Sequence, residues 1–447
     1  MFNNKLFKIV NPIWYFNQNH DGKPNYWIDY KKLKIENKDL FDQNCKYQSK
    51  IFKNYDIAFQ LWHKGLIDIK GFCLISHKYP LTLSLYDQYL FLRRMYNSKW
   101  IYYAIFIRIL TFQFSFNDIR AIISTKNVKK IDLNNSFYKY VNYKSYLSQL
   151  IESKPFVSII IPTLNRYSVL DNALKDLENQ KFKNFEVLII DQSNPFQPEF
   201  YDNYNLKINL FYQKKRGLWN ARNNAIRKSK SDLILFFDDD SRVSSTWINE
   251  HLKCIDYFNA DISSGVSISK IGAPIPIHYE YFRWSDQLDT GNVLIKRKVF
   301  KKCGLFDLQF EGMRMGDGEF GLRAYLSGFK NINNPKAKRI HLKTEIGGLR
   351  EMGSWDGMRP KNWLYPRPIP SVLYFYRRYW GSKSTILYLL QTLPISLSSY
   401  KLKGTKLGYI ISLLLLILFF PFLLLQVLRS WTISNKMLKK GQLIESL

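Results

Sequence analysis

The chain has 447 residues, too many for one small domain and suited to two or three. With 46% hydrophobic and 16% aromatic residues it can build a sizeable core, which excludes a disordered chain. Its 66 basic and 36 acidic residues leave a formal charge of +30. That excess suits an anionic neighbour such as lipid headgroups, a nucleic acid or a phosphorylated substrate, or it reflects a Lys-rich composition bias without function.

Residues 1–150 are rich in Lys, Tyr, Phe and Asn, and stretches such as SKWIYYAIFIRILTFQF predict apolar helices or strands. No catalytic pattern falls here. Trp62-His63-Lys64-Gly65 and His77 read as structural, and the region is an N-terminal extension without an assigned role. The N-terminus has no apolar run long enough for a signal peptide, which predicts a chain that is not secreted. Cys45, Cys73, Cys254 and Cys303 lie far apart, without CxxC or metal-ligand spacing, and read as reduced thiols.

From about residue 155 to 350 the texture becomes α/β. VSIIIPTLN, FEVLIIDQSN, KINLFYQKK and DLILFFDDD read as strands, and RYSVLDNALKDLENQ and GLWNARNNAIRKSK as helices, the second entered through Gly217. Strands apolar throughout are buried on both faces, as in a mostly parallel sheet. Open sheets of this kind place ligands at the carboxyl ends of their strands. Pro162-Thr163-Leu164-Asn165-Arg166, Asp191-Gln192-Ser193 and Asp238-Asp239-Asp240 all fall there. Three consecutive carboxylates repel one another unless cations compensate, and magnesium- or manganese-type ions prefer such oxygen ligands. An extended backbone would turn Asp238 and Asp240 to one side and Asp239 to the other.

A C-terminal region, 365–447, ends the chain. Residues 407–428, LGYIISLLLLILFFPFLLLQVL, are uncharged and long enough to cross a bilayer. Pro421 predicts either a kink or a re-entrant hairpin. Lys401, Lys403 and Lys406 precede the segment and Arg429, Lys436, Lys439 and Lys440 follow it, so the flanking charges do not choose an orientation.

FVSIIIPTLNR, VLIIDQSN, KKRGLWNARNNAI, LILFFDDDS, TGNVLIKRKVFKKCGLFD and GDGEFGLRAYLSGF, in this order, resemble the family 2 glycosyltransferases over about residues 156–345. The resemblance implies the GT-A fold, a Rossmann-like nucleotide-diphospho-sugar transferase fold, and inverting transfer assisted by a divalent metal, Mn2+ or Mg2+. It places Pro162, Thr163, Asn165, Arg166, Asp191 and Arg222 around the nucleotide, with Gly217 and either Lys215 or Arg216 towards its phosphates. Asp238 is implied at the ribose or the metal, Asp240 at the metal, and His341 as a further metal ligand. Asp317 matches the catalytic base, although Gly316 stands where the family has a Glu; Glu319 is the second candidate. Trp284, Asp286, Gly291, Asn292 and Glu319 are implied on the acceptor side. Gly316–Gly321 also spells GxGxxG, but no apolar strand precedes it, so it is not a dinucleotide signature.

The implied activity is sugar transfer from a nucleotide-diphosphate sugar to a glycan or lipid-linked acceptor in bacterial surface-polysaccharide synthesis. The implied place is the inner membrane, with the catalytic domain facing the cytoplasm, an anionic lipid surface as partner and no nucleic acid. A sugar-nucleotide nucleotidyltransferase and an inactive membrane scaffold are the alternatives.

Overall fold

The computed structural model describes residues 4–18, 27–32, 40–70, 83–269, 275–286, 288–344, 357–360, 362–399, 402 and 405–447. Cys73, His77, Lys401 and Lys403 lie outside them. The chain divides into two compact units, residues 1–139 with 376–391, and residues 140–375 with 392–447.

The first unit is helical. Its elements are α1 (Lys5–Val10), α2 (Lys50–His63), α3 (Leu85–Met95), α4 (Ser98–Leu110) and α5 (Phe116–Ser124). Ser49 and Ser84 cap α2 and α3 by accepting the N–H groups of Phe52 and Asp87. Aromatic side chains fill the core: Phe7 meets Trp14 edge-on at 5.1 Å, and Phe59 packs on both Trp27 and Phe91. Trp62 and His63, singled out in the sequence, belong to this packing, with ring centroids 4.9 Å apart.

The second unit opens with the single turn α6 (Gln149–Glu152) and then alternates strands and helices. In chain order these are β1 (Val157–Thr163), α7 (Tyr167–Glu178), β2 (Phe185–Asp191), β3 (Ile208–Tyr212), α8 (Leu218–Lys228), β4 (Leu233–Phe237), β5 (Ser241–Val243) and α9 (Trp247–Tyr257). There follow β6 (Ile262–Ser269), β7 (Arg283–Trp284), β8 (Asn292–Lys296), α10 (Arg297–Cys303), α11 (Gly316–Leu326) and β9 (Asn331–His341). All nine strands form one sheet in the order β3-β2-β1-β4-β8-β6-β9-β5, with β7 paired to β9. The run β3-β2-β1-β4 is parallel, as expected; β8 then pairs antiparallel to both β4 and β6, and β6 runs parallel to β9.

The sequence pattern explains the layering. Every residue of β1, β2 and β4 is buried, so both faces of the central strands are covered. One cover is α7, whose Leu170, Ala173, Leu174 and Leu177 recur at helical spacing and pack on Ile159, Ile161 and Val187. Another is α9, through Trp247, Ile248, Leu252 and Ile255. Cys45, Cys254 and Cys303 are free thiols.

The C-terminal region is helical. α12 (Pro370–Thr392) leaves helical geometry at Gly381 and α13 (Lys406–Lys440) at Phe419, two residues before Pro421. Residues 406–440 are therefore one helix with a local break, not a hairpin. At 35 residues it is about 52 Å long, more than a hydrocarbon core of about 30 Å. Among the described residues it is the helix long and apolar enough to cross a membrane, and Ile410, Leu414, Ile417 and Leu418 on it are exposed.

The last turns of α13 and the tail behind it join the unit that holds the sheet. Gln309 Nε2 donates to Met437 O at 2.8 Å and Gly441 O at 2.6 Å, while Leu305 N and Leu308 N donate to the carbonyls of Glu445 and Leu443. Asp307 accepts from Leu443 N and Tyr374 Oη.

One polar hub sits inside the sheet. The Asn292 side chain accepts from Trp247 Nε1 at 2.7 Å and pairs with His251 Nε2 at 3.0 Å, and it donates to Val266 O and Ala337 O. His251 is fully buried, and that burial pulls its pKa from 6.5 to about 4. The unfolded chain therefore takes up a proton near pH 6.5 that the folded one refuses until about pH 4. Stability is constant above 6.5 and lost as pH falls between the two, by about 3 kcal/mol for this group. The urea midpoint should fall between pH 7 and pH 4.5, and His251→Gln should flatten that fall; an unchanged pH slope in the variant would refute the assignment.

Candidate active site

The three aspartates follow β4 directly, but they occupy a turn between β4 and β5 rather than an extended strand. The turn still brings Asp238 and Asp240 together. Their carboxylates and the imidazole of His341 offer ligand atoms all within 4.8 Å of one another. His341 reaches them because it ends β9, where it pairs across to Ser241 of β5. Its Nε2 lies 3.2 Å from Asp240 Oδ1.

Each carboxylate has its own partners. Asp238 lies between two arginines: Arg222 Nη2 donates to Oδ1 and Arg339 Nη1 to Oδ2, both at 2.9 Å. Asp239 accepts from Thr163 Oγ1 at 2.8 Å and Arg166 Nη1 at 2.9 Å, and so faces β1 rather than the cluster. Burial pushes Asp239 up to about 6 against the pull of Arg166. Burial also raises Asp240, but His341 and Arg166 outweigh it and hold that carboxyl below its ordinary value.

Arg339 was not singled out by its sequence. It is buried, and besides Asp238 it binds both oxygens of Asp289, at 2.8 and 3.1 Å, Ser267 Oγ, Ser241 Oγ and the carbonyl of Gly291. Burial weakens its charge, but Asp289 and Asp238 more than restore it, and its pKa is raised. Gly291 is needed at this spot, since a side chain there would strike the Arg339 guanidinium and the Asp238 carboxylate. It thus belongs beside the carboxylate cluster.

Around the cluster the other expected residues sort by burial. Pro162 and Thr163 end β1, buried. Asn165 is exposed with a left-handed backbone, φ 53, and its Oδ1 accepts from Asn194 N. Arg166 also reaches Asp240 at 3.4 Å and Thr344 O at 3.2 Å. Lys215 and Arg216 are exposed in the loop before α8, whose entry Gly217 donates its N–H to Gln192 Oε1. Asp191 is fully buried; its Oδ2 accepts from Tyr167 Oη at 2.8 Å and Tyr201 Oη at 2.7 Å.

The remaining expected residues are enclosed or paired within the protein. Arg222, expected to face a nucleotide, is 1% exposed; its Nη2 donates to Asp238 Oδ1 and Thr290 O, and its guanidinium stands 5.1 Å from the centre of the Trp219 ring. Asn292, expected on the acceptor side, is the buried hub of the sheet. Trp284 is buried on β7 and Asp286 accepts from Arg283 Nη2. Glu319 is fully buried, with both carboxylate oxygens on Arg323 at 3.0 and 2.9 Å. Composition does not show such enclosure, because polar and aromatic residues have the same letters whether they face a ligand or a core.

Asp317 stands in the first turn of α11, half-buried, its Oδ1 accepting from Gly318 N. Gly316 before it explains a departure from the family pattern. A Cβ there would lie 2.5 Å from the Trp219 indole, whose Nε1 donates to Phe310 O at 3.0 Å. Trp219 thus touches the start of α11 on one side and Arg222, the partner of Asp238, on the other. Glu311 closes the same corner by accepting the N–H groups of Leu218, Trp219 and Asn220 in the first turn of α8.

Comparison with known proteins agrees. The profile of the family described as Glycosyl transferase family 2 matches residues 158–315, about a third of the chain. The chain is similar to the GalNAc(5)-diNAcBac-PP-undecaprenol beta-1,3-glucosyltransferase of Campylobacter jejuni, with 29% identity over 97 residues, 20% of this chain and 31% of that protein. It is similar to the chondroitin synthase of Pasteurella multocida, with 26% identity over 245 residues, 43% of this chain and 25% of that one. The chain thus spans a quarter to a third of the length of these curated relatives. Among solved structures, the mannosyltransferase of Pyrobaculum calidifontis in complex with GDP-Man and Mn2+ aligns with TM-score 0.41 and 15% identity over 66% of this chain and 89% of that one. Residues 158–315 therefore carry the sequence pattern of glycosyltransferase family 2.

Proposed function

We propose that the protein transfers a sugar from a nucleotide-diphosphate sugar to a glycan or lipid-linked acceptor, with inversion at the anomeric carbon. The observation that carries this reading is the cluster of Asp238, Asp240 and His341 at the carboxyl end of a family 2 sheet. Two carboxylates and one imidazole are a donor set suited to Mn2+ or Mg2+. A bound ion would supply Lewis-acid stabilisation of the departing diphosphate.

The protein's own residues do the rest. Arg339 and Arg222 hold Asp238 by one oxygen each, and Arg166 steadies Asp239 and Asp240, so the cluster is set before a donor arrives. The exposed Lys215 and Arg216 offer charge to the donor's phosphates. Asn165 and Arg166 border the nucleotide, with Asp191, braced by two tyrosines, at its base or ribose. Asp317 takes the proton from the acceptor hydroxyl as that oxygen bonds to the anomeric carbon. The bond from that carbon to the phosphate oxygen breaks, and the nucleoside diphosphate leaves with its electron pair. Asp317 is assigned this role over Glu319 because the latter is enclosed and paired with Arg323.

The reading extends to place. An exposed apolar α13 suits a bilayer, and the Campylobacter relative bears an undecaprenol acceptor in its name. Attachment to a bacterial inner membrane, with the catalytic domain on the cytoplasmic side where nucleotide sugars are made, supplies both substrates. Surface-polysaccharide synthesis is the corresponding process.

A panel of UDP-, GDP- and dTDP-sugars with manganese should yield free nucleoside diphosphate from at least one donor. Chelation or Asp240→Ala should abolish that yield, and pyrophosphate as the product would convert the assignment to a nucleotidyltransferase. No turnover across the panel with acceptor lipid present would leave a scaffold.

Asp317→Asn should cut turnover by about 10²- to 10⁴-fold with donor binding unchanged. Glu319→Gln should instead lower the thermal midpoint, since breaking a buried pair costs about 3–5 kcal/mol. Equal transfer by Asp317→Asn and the wild type would remove the base from that residue.

Gly316→Ala tests the corner at Trp219. Overpacking there should cost about 1–3 kcal/mol and lower kcat. Adding Trp219→Ala should recover part of the stability; a Gly316→Ala protein as stable and active as wild type would mean that the indole is free to move aside.

A further inference from the structure

The helical unit leaves one apolar face uncovered by its own fold. On α4, Tyr102, Phe106 and Leu110 recur every four residues along one side of the helix and are all exposed. Phe116 and Ile123 are exposed on α5. At the turn between the two helices Phe112 is 97% exposed, on a left-handed backbone of φ 53 that side chains rarely adopt. A large apolar ring held outward at a hairpin tip, in a strained conformation and without a packing partner, is poorly explained by the stability of the unit itself.

The reverse side of the hairpin is rigid. Buried Asp118 accepts from Arg108 Nε at 2.7 Å and Nη2 at 2.9 Å, from Tyr89 Oη at 2.9 Å, and from Ser115 N and Oγ at 2.9 Å each. One carboxylate thus ties α3, α4 and α5 together and keeps the hairpin from closing over its apolar side.

Charge selects the occupant. From residue 98 to residue 131 Asp118 is the sole acidic residue, and it is enclosed. Lys99, Arg120, Lys126, Lys129 and Lys130 in the same stretch are exposed. A second copy of this basic chain on the same face would set like charges against one another, whereas phospholipid headgroups would neutralise them.

We propose that the α4–α5 hairpin is a wedge for an anionic bilayer surface, seating Phe106, Phe112 and Phe116 below the headgroups while the surrounding lysines and Arg120 meet the phosphates. It is a membrane contact separate from α13 and does not depend on sugar transfer.

The test uses the full chain in vesicles of zwitterionic lipid with or without one third phosphatidylglycerol, carrying nitroxide-labelled lipid. Phe112→Cys, Ile51→Cys and Leu418→Cys proteins are labelled with an environment-sensitive fluorophore, and the labelled wild type gives the background of native thiols. Ile51, partly exposed on α2, is the control inside the same unit, and Leu418 reports α13. In anionic vesicles the label at 112 should be quenched at least about twofold more than that at 51, and less so without phosphatidylglycerol. Quenching at 418 without quenching at 112 overturns the wedge and leaves the α13 reading standing; quenching at neither overturns both. Equal quenching at 112 in the two lipid mixtures overturns the anionic requirement. Shielding of 112 in detergent that grows with protein concentration assigns the face to a second copy and overturns the lipid assignment.

Discussion

The buried guanidinium of Arg339 is the constraint on which the catalytic unit depends. It sits where β9, the turn after β4 and the segment before β8 meet, and each of its bonds fixes a different piece: Asp238 after β4, Asp289 and Gly291 before β8, Ser267 on β6 and Ser241 on β5. Alone, so buried a cation would be prohibitive. It is tolerated because two carboxylates and three neutral oxygens surround it, and this need for compensation holds the acidic turn in place. Asp238, one of the carboxylates that suit a metal, is therefore structural before any metal binds.

This double use divides the three aspartates. Asp239 is committed to the protein, through Thr163 and Arg166. Asp238 is shared, with Arg222 and Arg339 on its two oxygens. Asp240 faces His341. A cation entering the cluster would compete with existing donors for Asp238 more than for Asp240, which makes Asp240 the readier ligand. The gradient follows from the sheet: β4 and β5 flank the turn, so only its end lies beside His341 of β9.

How much of this was legible depended on whether a residue's surroundings could be read from its neighbours in sequence. The strands were legible because β1, β2 and β4 are apolar on both faces, and their carboxyl ends were legible because polar residues appear abruptly there. The acidic run followed from the same rule, whereas the choice of Asp317 came from the family resemblance alone. Arg339 was not legible. It lies in KAKRIH, in a chain with 66 basic residues, and nothing local separates one inward-facing arginine from the lysines beside it. The antiparallel insertion of β8 was hidden for the same reason, since strand pairing is settled by contacts across the sheet. The enclosure of Asn292 and Glu319 was hidden because a polar residue saturated by core partners has the same letter as one facing a substrate. Gly316 was legible as a departure but not as a consequence, because the indole that requires it comes from α8, almost a hundred residues earlier.

The C-terminal tail shows why the apolar helix cannot be considered apart from the catalytic domain. An anchor joined only by a linker would leave the domain indifferent to what the helix does. Here the chain after α13 returns to the segment between α10 and α11, where Leu443 and Glu445 accept backbone bonds from Leu308 and Leu305, and Asp307 accepts from Leu443 N. That segment continues through Glu311, which caps α8, to Gly316 and Asp317. The end of the apolar helix and the proposed base are thus joined by a short, hydrogen-bonded stretch of chain. Residues 304–311 have little regular structure of their own, so the tail supplies partners that a strand or helix would otherwise provide. A displacement of α13 along its axis would strain those bonds before it reached the sheet. The proposed base thus shares a stretch of chain with the end of α13, whereas Asp238 is held by Arg339 through bonds of its own.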